Sequence, residues 1–97
     1  MSSVVVGLCR LELQFPGSAS LKDKRRVLQS LLARLRNEFN VSVAEVGHQD
    51  AWQRATVAVA CVSSSGTYAR GLLERVAETV EGARLDLLLL DREIELF

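Results

Sequence analysis

The sequence predicts an α+β fold of strand–helix–strand–strand–helix–strand order, a four-stranded antiparallel sheet with both helices on one face. Three observations predict it. Residues 3–15 read "SVVVGLCRLELQF", with Leu11, Leu13 and Phe15 alternating against Arg10, Glu12 and Gln14, the two-residue period of a half-buried strand. Two later stretches carry apolar residues at the three-to-four spacing of an amphipathic helix. The remaining apolar runs are short, and the middle two are separated only by "QDAW".

After the first strand, Pro16 and Gly17 of "PGSAS" turn the chain, and Ser20 is placed to cap a helix. From Leu21 to Phe39 the residues Leu28, Leu31, Leu32, Leu35 and Phe39 form one stripe. Burying each is worth roughly 1.5 to 3 kcal/mol, against an ordering cost of about 1.5 kcal/mol per residue fixed, so the helix must dock on something. Asn37 to Asn40 closes it. "VSVAEVGH" (41–48) and "QRATVAVACV" (53–62) read as a hairpin of two strands across "QDAW". "SSSGT" (63–67) supplies N-cap candidates for a second helix carrying Leu72, Leu73, Val76 and Val80, which stops at Gly82. "RLDLLLLDREIELF" (84–97) reads as the last strand.

Two right-handed crossovers joined by a hairpin give the ferredoxin-like split βαβ arrangement in a single domain, residues 1–97. This topology leaves one sheet face bare, yet in the first strand Val4, Val6 and Leu8 are apolar as well as Val5, Cys9 and Leu11, and Leu87 to Leu90 are apolar without a break. Strands apolar on both faces are usually covered on both. A homodimer through the open face is therefore expected, with a trimer or a heteromer as the alternatives.

Composition excludes several classes. Lys plus Arg and Asp plus Glu each total 12, so the chain as a whole has no electrostatic pull towards nucleic acid. Any such pull must come from how the charges are distributed. The two cysteines, Cys9 and Cys61, lie in separate apolar runs outside any CxxC or Cys/His cluster, which favours buried reduced thiols and no metal or cofactor. "VVVGL" follows Met-Ser-Ser without a basic flank, and no run approaches the ~20 apolar residues of a membrane span. A cytoplasmic protein with no membrane partner is expected.

The one feature pointing outward is "SLKDKRR". It places Lys22, Lys24, Arg25 and Arg26 at a helix start, where the aligned peptide dipoles favour acids. At about 100° per residue, Lys22, Arg25, Arg26, Gln29 and Arg36 fall on the side opposite the leucine stripe. Lys24 lies nearer the stripe, its stem placed to cover apolar surface while its head snorkels out. One reading is a solvated polar face, aided by the Asp23–Arg26 spacing. The other is an anion or RNA-phosphate site made of Ser20, Lys22, Lys24, Arg25, Arg26 and Arg36, with free helix-start N–H groups assisting. Four or five such cations would give a log–log salt slope of roughly −3 to −4.5. His48, Asp50 and Trp52 are accessory candidates on the neighbouring turn; a structural histidine and a hairpin-end tryptophan are the alternatives. Glu74, Glu78 and Glu81 give the second helix an acidic face.

Known phosphate and RNA signatures are missing. "GSASLK" lacks the second Gly and the Ser or Thr of a Walker loop. The strands that would stack RNA bases, 3–15 and 53–62, hold no aromatic except Phe15. No activated nucleophile or acid/base pair is visible, so no catalytic residue and no enzyme is expected. Taken together, "SLKDKRRVLQSL" (20–31), "RLRNEFNVSVAEV" (34–46) and "DAWQRA" (50–55), in that order, resemble the bacterial YlxP-like family of small proteins of unknown function. The resemblance implies a ferredoxin-like fold and a bacterial cytoplasmic protein. Its members are often encoded near genes for translation initiation and ribosome maturation, which implies a connection with RNA or the ribosome. The leading functional expectation is a non-enzymatic module that contacts RNA or ribosomal particles through the first helix, and the second is a structural or regulatory homodimer acting through its sheet face without nucleic acid. A third, an enzyme acting on a phosphorylated metabolite, would have the anion site but lacks visible acid/base machinery.

Overall fold

The computed structural model describes residues 3–97; Met1 and Ser2, at the head of the expected unit, lie outside the described residues. The elements are β1 (Val5–Gln14), α1 (Leu21–Glu38), β2 (Ser42–Gly47), β3 (Arg54–Ser63), α2 (Gly66–Glu81) and β4 (Leu88–Leu96). The four strands form one antiparallel sheet in the order β2-β3-β1-β4. This is the ferredoxin-like α+β arrangement: the β1–α1–β2 crossover leaves a gap that β3 fills, and the β3–α2–β4 crossover passes over β1, so β1 and β3 are central.

Alternation along β1 decides the layering. Cys9, Leu11, Leu13 and the following Phe15 are fully buried and meet Ala55, Val57 and Val59 of β3. The stripe of α1 (Leu28, Leu31, Leu32, Leu35) and that of α2 (Leu72, Leu73, Val76, Val80) close the same core from above. The alternate set faces outward: Val6 lies opposite Val62, Leu8 opposite Ala60, and Arg10 opposite Ala58.

The last strand starts four residues later than the sequence suggests. Ala83 N–H bonds to Val80 O at 3.2 Å and Leu87 N–H to Leu85 O at 2.7 Å, so 83–87 is a turn that tucks Leu85 and Leu87 against the core. Four leucines in a row have no period to show where extension begins. Within β4 the register jumps from Leu13 opposite Leu89 to Glu12 opposite Asp91. Leu90 is the extra residue of a bulge, which increases local twist at this edge.

Both thiols are reduced and buried. Burial pushes the Cys9 thiol up from 9.0 to about 11, against an opposing pull from the Arg92 guanidinium. A raised folded-state value stabilises the fold fully below the unfolded value, and the contribution is lost as pH climbs from 9 to about 11. The urea midpoint is expected to fall across that window in the native protein, and to fall less steeply in Cys9→Ala. Equal slopes in the two proteins would assign the alkaline loss to other groups.

Candidate functional site

The start of α1 is built by local capping. Ser20 is extended, and its Oγ accepts the Asp23 N–H at 3.1 Å while its carbonyl accepts the Lys24 N–H at 3.2 Å. Asp23 Oδ2 accepts the Ala19 N–H at 3.1 Å, and Oδ1 takes Arg26 Nη2 at 2.9 Å. The helix start thus carries its own carboxylate, which supplies the negative charge that the dipole favours. Ser20 is a cap, and Arg26 is tied to Asp23.

Lys24 differs most from the expectation of a snorkelling side chain. It is 0% exposed. Its Nζ donates to Glu45 Oε2 at 3.1 Å, His48 O at 2.9 Å, Arg54 O at 3.0 Å and Gln49 O at 3.3 Å. Four oxygens around one buried ammonium satisfy it and leave nothing for an anion, so Lys24 is a structural staple between α1 and the β2–β3 turn. The signal was in the spacing: Lys24, Leu28, Leu31, Leu32 and Leu35 continue one stripe at i, i+4, i+7, i+8 and i+11. Its partners, 21 to 30 residues away, left no local signal.

The other cations are exposed and segregated. Measured from Lys24 at about 100° per residue, Arg25, Arg36, Gln29 and Lys22 lie about 100° to 160° round the helix, whereas Asp23 and Glu38 lie on the opposite flank. Arg36 Nη2 donates to Val43 O at 3.0 Å, so the basic flank is the one beside β2. Lys22, Asp23, Arg25, Arg26 and Gln29 line a shallow depression on the outer surface of α1, walled by this helix's own side chains. Among the described residues, Arg34 pairs with Glu38 and Arg26 with Asp23, while no carboxylate pairs with Lys22, Arg25 or Arg36.

His48, Asp50 and Trp52 sit together on the turn between β2 and β3 and are exposed, Trp52 by 56%. His48 has φ 58°, a left-handed backbone costing about 1 kcal/mol or more for a residue with a Cβ. Its carbonyl is held there by Lys24 Nζ at 2.9 Å and the Ala51 N–H at 3.0 Å. Gln53 Nε2 donates to Ser18 O at 3.1 Å, joining this turn to the 16–20 loop. The turn therefore abuts the α1 start through Lys24. No hydrogen bond or ion pair joins His48 to the Asp50 side chain among the described residues.

A second polar group, unmarked in the sequence, lies on the outer sheet face. Thr56 Oγ1 lies 2.9 Å from both Glu12 oxygens, with Arg54 Nη2 3.8 Å from Glu12 Oε2. Among the described residues no cluster of three metal-ligating side chains occurs, and no helix is long and apolar enough to cross a membrane.

Three comparisons place the chain among known proteins. It is 40% identical over 77 residues to the uncharacterized protein YlxP of Bacillus subtilis, covering 79% of this chain and 84% of that one. The de novo designed protein Foldit4 shares the fold with a TM-score of 0.55 at 17% identity, across 98% of this chain and 97% of that one. Because the design is so distant in sequence, that likeness speaks to architecture alone. The family model for proteins of unknown function DUF503 matches residues 6–94, nearly the whole of the sheet and both helices, and the chain belongs to that family.

Proposed function

We propose that this protein is a non-enzymatic binding module whose first helix contacts the phosphates of RNA along its β2 flank. The observation that carries the reading is the separation of charge around α1: Lys22, Arg25 and Arg36 stand on one flank with no carboxylate partner among the described residues, and the acids of the helix stand on the other. A neutral chain with one such band attracts an anionic polymer there and disfavours it at the acids of α2 and β4, which orients the contact. Guanidinium forks suit phosphate oxygens better than isolated ammonium groups do, and two of these three cations are arginines. The reading rests on side chains and not on the helix terminus, where Ser20 Oγ takes the Asp23 N–H and Asp23 Oδ2 the Ala19 N–H. Backbone contacts of this kind give affinity with little sequence preference.

With Lys24 internal and Arg26 neutralised, three cations remain, and the expected log–log salt slope is roughly −2 to −3. Anisotropy titrations with a labelled single-stranded RNA oligonucleotide should weaken roughly 20- to 40-fold between 50 and 200 mM salt. The triple variant Lys22→Ala, Arg25→Ala, Arg36→Ala should flatten that dependence. An unchanged affinity and slope in the triple variant, with its circular dichroism intact, would remove the reading.

A further inference from the structure

The side of the sheet away from the helices is patterned as well as bare. Its outward residues fall in rows across the strands. At one end Val62, Val6 and Phe97 stand in a line on β3, β1 and the end of β4, with Val62 73% and Phe97 68% exposed. The next row is Ser42, Ala60, Leu8, Glu95, and the next Ala44, Ala58, Arg10, Glu93. In these two rows the small Ala60 and Ala58 of β3 stand beside the large Leu8 and Arg10 of β1. The outward acids are Glu12 on β1, which is held by Thr56 Oγ1 at 2.9 Å and lies 3.8 Å from Arg54 Nη2, and Asp91, Glu93 and Glu95 on the edge strand β4, while the outward set of β2 (Ser42, Ala44, Val46) carries no charge.

We infer that this face is the contact between two copies of the chain, related by a two-fold axis that runs along the strands between β1 and β3. A two-fold contact must be self-complementary. This axis lays β1 of one copy over β3 of the other, so Leu8 meets the partner's Ala60, the Arg10 stem meets the partner's Ala58, and Val6 meets the partner's Val62. In the Leu8 and Arg10 rows large side chains thus face small ones, and in the end row valine faces valine, so that the two sheets can close to about 10 Å. The same rotation places each acidic β4 over the partner's uncharged β2, so no acid column meets its own copy. An axis across the strands would instead stack β4 on β4.

The area fits. Four strands about 4.8 Å apart and about 30 Å long give roughly 550 Å² per copy before side-chain relief. Two copies therefore bury a little over about 1,000 Å², the lower range of specific interfaces. The helices lie on the opposite side of each sheet, so the contact is independent of the RNA reading, and a pair of subunits would present α1 on both outer surfaces.

Light scattering coupled to size exclusion at micromolar concentration should give twice the 10.7 kDa chain mass. Leu8→Asp, which introduces a charge opposite the partner's Ala60, should return the mass to that of one chain by weakening association at least ~100-fold. Lys22→Glu, on the far side, should leave the pair intact. If Leu8→Asp disturbs the fold, mixing Val6→Cys chains with Val62→Cys chains under mild oxidation tests the axis directly. A disulfide joining the two different chains is expected. A monomeric native protein would overturn the inference, as would disulfides forming only between identical chains.

Discussion

Replacing Lys24 by methionine is expected to destabilise the fold by about 3 kcal/mol, the low end of the range for breaking a buried ion pair. Methionine keeps the unbranched stem and much of the volume, so the packing against the leucine stripe survives and the loss is confined to Nζ. Glu45, 19% exposed, is then left beside the core without its counter-charge, and Arg54 O and Gln49 O lose their side-chain donor. His48 O fares better because the Ala51 N–H still reaches it at 3.0 Å. Glu45 is not fully buried, and water can recover part of its solvation, which is why the low end applies. For a domain of this size the melting temperature should fall by about 12 to 24 °C. Urea titration should show a lower midpoint with little change in slope.

Two further readouts separate the staple from ordinary packing. Trp52 is the only tryptophan and lies between Gln49 and Arg54, both of whose carbonyls Lys24 holds, so its emission should change in Lys24→Met even where the protein remains folded. Pairing Lys24→Met with Glu45→Met should regain part of the lost stability, since removing both charges leaves neither stranded. A single variant that costs less than about 1 kcal/mol would mean that the four oxygens are adequately hydrated without Lys24.

The same residue shows which parts of the molecule are legible in sequence. The alternation of 3–15 and the two helical stripes are local periodicities, and they fixed the element order, the ferredoxin-like topology and the Ser20 cap without any long-range information. The Asp23–Arg26 pair was likewise visible in its three-residue spacing. Features that depend on distant parts of the chain were not legible. The position of Lys24 in the leucine stripe was countable, but whether such a lysine snorkels or turns inward depends on the carbonyls of a turn more than twenty residues on. The start of β4 was hidden by a run of leucines that satisfies a strand and a packed turn equally. Of the expected anion site, the exposed cations Lys22, Arg25, Arg26 and Arg36 share the outer surface of α1, while Lys24 is withdrawn into the core and Ser20 into the cap.

Enlarging Gly7 is expected to be the most damaging change on β1 that adds atoms. A Cβ at this position would sit 2.9 Å from Leu73 Cδ1, 3.0 Å from Cys61 Sγ and 3.5 Å from Ala69 Cβ, because α2 crosses the sheet here with its small Ala69 against the bare backbone. Alanine is accommodated if the end of Leu73 swings away, and the gain from replacing glycine inside a strand, up to about 1 kcal/mol, offsets part of the strain. Valine is not accommodated. Its branches enter the space of both Leu73 and Cys61, and overpacking of this kind costs about 1 to 3 kcal/mol, at the upper end where neighbours are already fully buried. Leu73 and Ala69 are both fully buried, so α2 as a whole must lift. Gly7→Val should therefore lower the melting temperature by about 12 °C or more, and Gly7→Ala by less than half of that. The assignment to α2 is tested by a double-mutant cycle. Leu73→Ala alone should cost about 2 to 5 kcal/mol by opening a cavity, but in the Gly7→Val background the new methyls partly fill that cavity and the cost should shrink by more than about 0.5 kcal/mol. Additive costs would mean that the valine strains β1 itself rather than its seat beneath α2.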